Sequence, residues 1–445
     1  MNPALDVAIA SAAPPGTAVM LDAATWRSLA AGDARLGFVG LFVSGGRVHA
    51  LFTDGSAPLL LATELIANAY PSIATGFPQA AWFERLAFDQ TGATAEGATD
   101  RRPAIAQGAA GTDAAWPRFI ETAGEGFYQI GAGPVAGRIA SPVHRRFSMG
   151  RFSMGRFSMG RFSMGCFSTD DTRILRLEHR LGYAHRGIAG LMRGKSPRVA
   201  ARFAARIAGD ATVAHAVAFA RAAEAASGAV APPRAVALRA IMVAVERMTA
   251  DLAALAAAVA AAGDARFATL LGQAREQSAV ALGEAFGHRL MMDIVVPGGL
   301  ALDLRGDAVA SLLAALDRAS LVVRAFAWGR VRRDLGPAAG IAQARARSIR
   351  ALAASVRADL AVVPEGIIAA ALPAGTGTAL GAAESARGMV YHWIDLLDGQ
   401  IRDCVAIDPS ARLLPALEAG VVGLDPQAAA VLIACYGLSV GAIDG

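Results

Sequence analysis

The chain is poor in the residues that usually announce a chemistry. Cysteine occurs three times in 445 residues, at Cys166, Cys404 and Cys435, and none lies near another. That spacing supports neither a disulfide framework nor a CxxC metal-binding pair, and a reducing cytoplasm is the expected compartment. Lys195 is the only lysine, so the net charge of +5 rests on scattered arginines. Nucleic-acid binders gather basic residues beside aromatics. Aromatics are only 6% of this chain and no such stripe is visible, so no nucleic-acid partner is expected. An arginine-rich face suits solvent, an anionic membrane surface or an acidic protein partner. Long apolar runs are missing too. Hydrophobic residues make up 54% of the chain, much of it alanine, and no window approaches the ~18 apolar residues of a spanning helix. Residues 1–13 lack a basic start followed by an apolar block, so no secretory signal is read.

What is present falls into three stretches. Apolar runs at 36–43 and 47–53, joined by Ser44-Gly45-Gly46, predict a hairpin. A helical pattern is read over 57–69. From residue 200 the chain reads as a helical bundle. Its clearest helix spans 233–262, with Pro232-Pro233 at the start, Gly263 at the end, and an apolar stripe of Leu238, Ile241, Met242, Val245, Met248, Leu252 and Leu255. Arg247 and Asp251 on it are spaced for an i,i+4 pair. Further helices are expected at 202–226, 266–286, 307–325 and 342–360, and strands at 388–395 and 402–407.

Residues 146–165 are four identical copies of Arg-Phe-Ser-Met-Gly, followed by a decayed fifth, Cys166-Phe167-Ser168-Thr169-Asp170. A period of five does not match the strand period of two, so the tract reads as an enlarged loop inserted into one hairpin. The alternative is that its Phe and Met side chains touch a membrane or a partner.

The stretch 174–192, ILRLEHRLGYAHRGIAGLM, alternates Leu175 and Leu177 with Arg176 and Glu178, a half-buried strand that runs into Gly182–Gly187 at a strand-to-helix junction. It resembles the start of the large subunit of energy-converting nickel–iron hydrogenases and of its relative, the D-type, quinone-site member of respiratory complex I. Glu125-Gly126-Phe127-Tyr128-Gln129-Ile130 with Gly133-Pro134-Val135, and Phe286-Gly287-His288-Arg289-Leu290-Met291-Met292-Asp293 with Val296-Pro297-Gly298-Gly299, resemble further motifs of that superfamily. Upstream, Trp82 to Gly92, Glu96-Gly97 and Asp100-Arg101-Arg102 resemble the signature of the C-type member of complex I, with Ala98-Thr99 where a His-Pro pair is expected. A fusion of the two is the pattern of formate-hydrogenlyase-type enzymes.

The resemblance implies an α+β fold: a small N-terminal α+β domain (1–105), a linker (106–124), and a large-subunit-like core (125–445). Within the core lie the repeat loop (146–170), a central long-helix bundle (200–362) and a mixed C-terminal part (363–445), flanked by small sheets. It implies an oxidoreductase complex of the NADH–quinone oxidoreductase or hydrogenase type. Its partners would be a small iron–sulfur subunit and a membrane-embedded antiporter-like arm, with this chain peripheral on the inner face of the cytoplasmic membrane and without a transmembrane helix of its own.

The superfamily grips its nickel–iron centre with two CxxC pairs, because soft sulfur suits and bridges these metals. The matching positions here are Ala208 and Ala211, then Ser439 and Ala442. The resemblance therefore implies no metal held by this chain and no hydrogenase activity of its own, with a quinone possible in the emptied site. The quinone-site tyrosine corresponds to Gly209 and the histidine of the Gly-Pro-x-His motif to Ala136, although His144 lies further along the same hairpin. The acidic relay position after His185-Arg186-Gly187 is Ala189. The polar groups that remain are His144, His185, Arg186, His215, Arg239, Glu246, Arg247, His288 and Asp293. His144 is either a proton donor to the emptied site or an exposed loop histidine, and each of the others is either a buried group satisfied by neighbours or one wall of a shared cavity or proton path. No single residue is assigned as catalytic, and a non-catalytic coupling role that kept the fold is the second reading.

Overall fold

The computed structural model describes residues 5–7, 16–55, 57–102, 104, 127–132, 135–136, 139–140, 144–150, 157–159, 162–164, 173–180, 186–328 and 335–443. The fold is α+β. In the N-terminal part, β1 (Val19–Met20) and α1 (Ala23–Ser28) precede the hairpin of β2 (Gly37–Ser44) and β3 (Arg47–Thr53), turned by Gly45 and Gly46, both at positive φ. The expected helix over 57–69 is instead β4 (Pro58–Glu64), which pairs with β3 and, in parallel, with β1. Leu59, Leu60 and Leu61 form a short continuous apolar run, and periodicity cannot separate such a run from a helix segment; here pairing on both edges decides it. Short β5 (Ala69–Pro71), helix α2 (Ala80–Thr91) and β6 (Thr94–Glu96) complete this part.

Three antiparallel strands follow, β7 (Phe127–Ala132), β8 (His144–Gly150) and β9 (Arg173–Arg180), with β8 in the middle. The first repeat copy lies in β8, with Phe147 opposite Leu177 and Gly150 opposite Arg173. Among the described residues, Phe157–Met159 and Phe162–Met164, from later copies, pair with each other.

The helical core begins with α3 (Ile188–Met192) and α4 (Pro197–Ala204). The helix expected over 202–226 starts only at α5 (Thr212–Ser227), because the chain turns through Gly209 and Asp210 first. Next come α6 (Pro233–Ala261), α7 (Ala265–Phe286), α8 (Val309–Trp328) and α9 (Ala339–Ala361). Every residue of the predicted α6 stripe is fully buried. The expected Arg247–Asp251 pair does not form. Arg247 Nη1 donates to Glu384 at 2.7 Å, and Asp251 is paired with Arg345 from α9. Buried carboxylates go to whichever guanidinium can also satisfy neighbouring carbonyls, and Arg345 also bonds Cys435 O and Tyr436 O.

The C-terminal sheet is an antiparallel meander of β10 (Gly377–Ser385), β11 (Gly388–Leu397) and β12 (Gln400–Ile407), followed by α10 (Pro409–Gly420) and α11 (Pro426–Tyr436). Helix α5 packs directly on β10 and β11. The approach is so close that a Cβ on Gly381 would lie 2.0 Å from Ala218 O and 2.5 Å from Ala222 N. Alanines along α5 and glycine in β10 make it possible, and the strand neighbour of Gly381 is His392. The N-terminal core of Trp26, Phe38, Phe52 and Phe83 runs on into Tyr391, Trp393 and Ile407 of the C-terminal sheet. Ser44 bonds Asp403, and Trp393 Nε1 donates to Gly16 O at 3.1 Å across the same contact. No helix among the described residues is long and apolar enough to cross a membrane.

Candidate functional site

The turn between α4 and α5 lies against the chain's C-terminal segment. Arg186 joins them: its Nη1 donates to Arg206 O at 2.7 Å, and its Nη2 to Ile207 O at 2.8 Å and Gly441 O at 3.1 Å. Arg387, in the β10–β11 turn, does the same one layer deeper, bonding Asp210 and Gly437 O. Ala208 and Ala211 on the turn, and Ser439 and Ala442 on the tail, are thus carried on adjoining segments, and both alanines of the turn are buried. Beside them opens a cleft of about 350 Å³ between the two halves of the molecule. Phe42 and Val43 of β2 and the end of α2 form one wall. Ile188, Ala189, Met192, Ile207 and Ala442 form the other, and His392 and Cys404 form the floor.

His392 is 1% exposed and stands at the end of a buried polar chain. Its Nε2 is 3.0 Å from Nδ1 of His215, with the rings near perpendicular at 85°. Nε2 of His215 is 3.1 Å from Asp408 Oδ2. Asp408 caps α10 through the Ser410 N–H and lies 3.5 Å from Arg387 Nη2. Burial alone would raise the Asp408 carboxyl, but the Arg387 charge and the bonds from His215 and Ser410 outweigh it and hold it well below the usual carboxylate range. Burial, with His215 alongside, pushes His392 far below the usual imidazole range, so its ring is neutral. Glu246 supports the same helix from behind. Its carboxyl accepts from Val213 N at 2.6 Å and Ala214 N at 2.9 Å, the unpaired N–H groups at the start of α5. Burial raises it to about 7 despite those bonds. Glu246, Gly209 and Asp210 line a separate pocket of about 40 Å³ with Arg275 and Arg289.

Of the polar residues singled out in the sequence, His215 reaches the cleft through His392, and Arg186 braces its edge. Arg239 does not line it. It forms a buried fork to both oxygens of Glu224, at 3.1 and 2.6 Å, and holds Val296 O and Gly299 O. This fixes the Pro297-Gly298-Gly299 turn, where a Cβ on Gly299 would lie 2.0 Å from Ile368 O. Arg247 is on the Glu384 pair described above. His288 is exposed, and its Nδ1 accepts from Leu290 N at 3.1 Å, a local cap. Asp293 pairs with Arg206 at 2.7 and 2.8 Å near the surface. His144 opens β8 opposite Arg180. His185 lies outside the described residues.

Sequence reasoning missed His392, Asp408 and Arg387. One signal was available for His392, a polar residue inside the strand Val390-Tyr391-His392-Trp393-Ile394, where both faces are otherwise apolar. Asp408-Pro409 reads as an ordinary helix start, which concealed its second role.

The sequence model of the nickel-dependent hydrogenase family matches residues 186–253. This segment runs from Arg186 through α3, α4 and α5 into α6, and carries Ala208, Ala211, His215, Arg239 and Glu246. No curated protein matches the chain. Over that segment the chain is hydrogenase-like, and an oxidoreductase relationship follows. Where the resemblance would place the metal thiolates, at Ala208, Ala211, Ser439 and Ala442, the chain carries no sulfur. Alanine methyls and one serine hydroxyl cannot supply thiolates. Burial raises Cys404 to about 12 and Cys435 to about 11, which keeps both protonated. No group of three His, Cys, Asp or Glu gathers as metal ligands among the described residues.

Proposed function

We propose that this chain is the large-subunit-like member of a complex I-like or hydrogenase-like electron-transfer complex, without a nickel–iron centre of its own. The observation that carries the reading is the nickel-dependent hydrogenase match over residues 186–253, whose segment forms one side of the cleft and the helix behind its floor. A quinone headgroup is the ligand class the cleft suits. At about 350 Å³ it is within the range of small-molecule sites, its walls are mostly apolar, and His392, Arg193 and the Asp89-Gln90-Thr91 end of α2 supply polar groups. Redox cofactors belong to a small iron–sulfur partner, and both proteins sit on a membrane-embedded arm at the inner face of the cytoplasmic membrane. An N-terminal part resembling the C-type member of complex I is consistent with that assembly.

A non-catalytic coupling role is the second reading. It is favoured by Ala189 and Gly209, which offer no side-chain proton donor where the resemblance would place one. Affinity purification of the native chain from detergent-solubilised membranes tests the assembly. An iron–sulfur protein and integral membrane proteins recovered in fixed ratio support it. A chain recovered alone, with no iron, refutes it.

A further inference from the structure

We propose that His392, His215 and Asp408 form a proton relay serving the cleft: His392 accepts a proton from the hydroxyl of an aromatic ligand bound there, and the charge comes to rest on His215 against the Asp408 carboxylate. This rests on the reading of the cleft as a quinone- or quinol-type site.

The lone-pair accounting leaves little freedom. Asp408 is an acceptor, so the 3.1 Å contact requires the hydrogen on Nε2 of His215. The relay starts from a resting state with both rings uncharged; there Nδ1 of His215 carries only a lone pair, and its 3.0 Å contact places the hydrogen on Nε2 of His392. The remaining nitrogen of His392, Nδ1, is therefore an acceptor, on a ring that lines the cleft. When a ligand O–H bond breaks, its proton forms an N–H bond at His392 Nδ1. The His392 Nε2 proton passes to His215 Nδ1. The ligand is left as an aryloxide and His215 as an imidazolium with hydrogens on both nitrogens. One proton has moved through two sites and no electron has been transferred.

The surroundings decide where the charge stops. His392 is packed against His215 and Phe219, in an apolar setting that disfavours a cation. His215 instead touches Asp408 directly. The other charges around this group are Arg387 from the β10–β11 turn, bonded to both Asp408 and Asp210, Arg412 from α10 acting on Asp408, Glu246 from α6 at the start of α5, and Asp89 of α2 and Arg193 after α3, which line the cleft with His392. Arg387 keeps Asp408 ionised, so the carboxylate is an anchor for the imidazolium and not the final proton acceptor. Because His392 meets the ligand and His215 acts through it, His392 is the catalytic group and His215 the positioning one.

The test uses the full chain labelled with 15N-histidine and 2,6-dichlorohydroquinone as the probe, at mildly acidic pH where its hydroxyls are protonated in water. Without probe, both rings should show neutral nitrogen shifts, each protonated at Nε2. With saturating probe, His215 should show the imidazolium pattern while His392 stays neutral and becomes protonated at Nδ1. His392→Phe should weaken probe binding by about tenfold, the loss of one well-placed acceptor, and leave His215 unresponsive. The wild-type spectra decide the matter without any variant. Probe bound in the cleft with both rings unchanged overturns the relay and leaves the cleft reading standing. No probe binding to the wild-type chain overturns both.

Discussion

Replacing Arg239 by Met should cost the fold about 4 kcal/mol, and the structure shows where that comes from. Arg239 is 2% exposed and its guanidinium is the principal counter-charge of Glu224, which is 7% exposed. After the change, Glu224 keeps the Gly298 N–H at 2.8 Å but loses both bonds from the fork. Val296 O and Gly299 O lose their donor as well. Breaking a buried pair from one side costs roughly 3–5 kcal/mol, because an uncompensated charge remains, and the methionine side chain returns only part of that as apolar burial. Removing both charges together should be far milder, so Arg239→Met with Glu224→Leu should recover at least about 2 kcal/mol of the single-variant loss. Equilibrium urea unfolding followed by circular dichroism measures both. A single variant that loses less than about 1 kcal/mol, or a double variant as unstable as the single, refutes the assignment of this pair as the clamp between α5, α6 and the 297–299 turn.

Three further outcomes are expected. Burial lowers His49, stacked on Phe42 at 4.9 Å, to about 4. The unfolded chain therefore takes up a proton near pH 6.5 that the native state refuses until about pH 4, so stability is full above 6.5 and falls by about 3 kcal/mol as the pH drops through that window; pH-dependent unfolding of His49→Leu should lack this slope. Gly381→Val must push α5 off the sheet, given the 2.0 Å approach to Ala218 O, at a cost on the order of 3 kcal/mol, whereas Gly272→Ala, where an added Cβ meets nothing within 4 Å, should stabilise α7 by about 1 kcal/mol. Thermal unfolding separates the two. Ala189→Trp should fill the cleft, abolishing binding of the hydroquinone probe by calorimetry while leaving the unfolding free energy within about 1 kcal/mol of wild type; retained affinity would place the ligand elsewhere.

The elements most legible in the sequence were those whose signals are local. Proline at the start, glycine past the end and a seven-residue apolar stripe define α6 without any tertiary information. Strand β10 carried no such signal, because Gly-Thr-Ala-Leu-Gly-Ala-Ala-Glu-Ser is chosen for closeness to α5 and not for strand propensity. Residues 57–69 misled for the opposite reason, since three leucines in a row satisfy either period. The candidate site was legible only in its helical half. Arg186 and His215 stand in motifs, but His392, Asp408 and Arg387 converge on His215 from positions up to 193 residues away, and no spacing rule predicts such a meeting. The Arg239, Arg247, His288 and Asp293 motifs were equally visible. In the fold they serve a clamp, an ion pair, a turn cap and a surface pair.

Counting nickel in the native complex bears most directly on the claim that this cleft works without a thiolate-held centre. The complex should be purified anaerobically through this chain and its metals quantified by mass spectrometry after gel filtration with chelator. Iron from a partner protein with no nickel above background is the predicted result. One nickel per chain, retained through the chelator step, contradicts it.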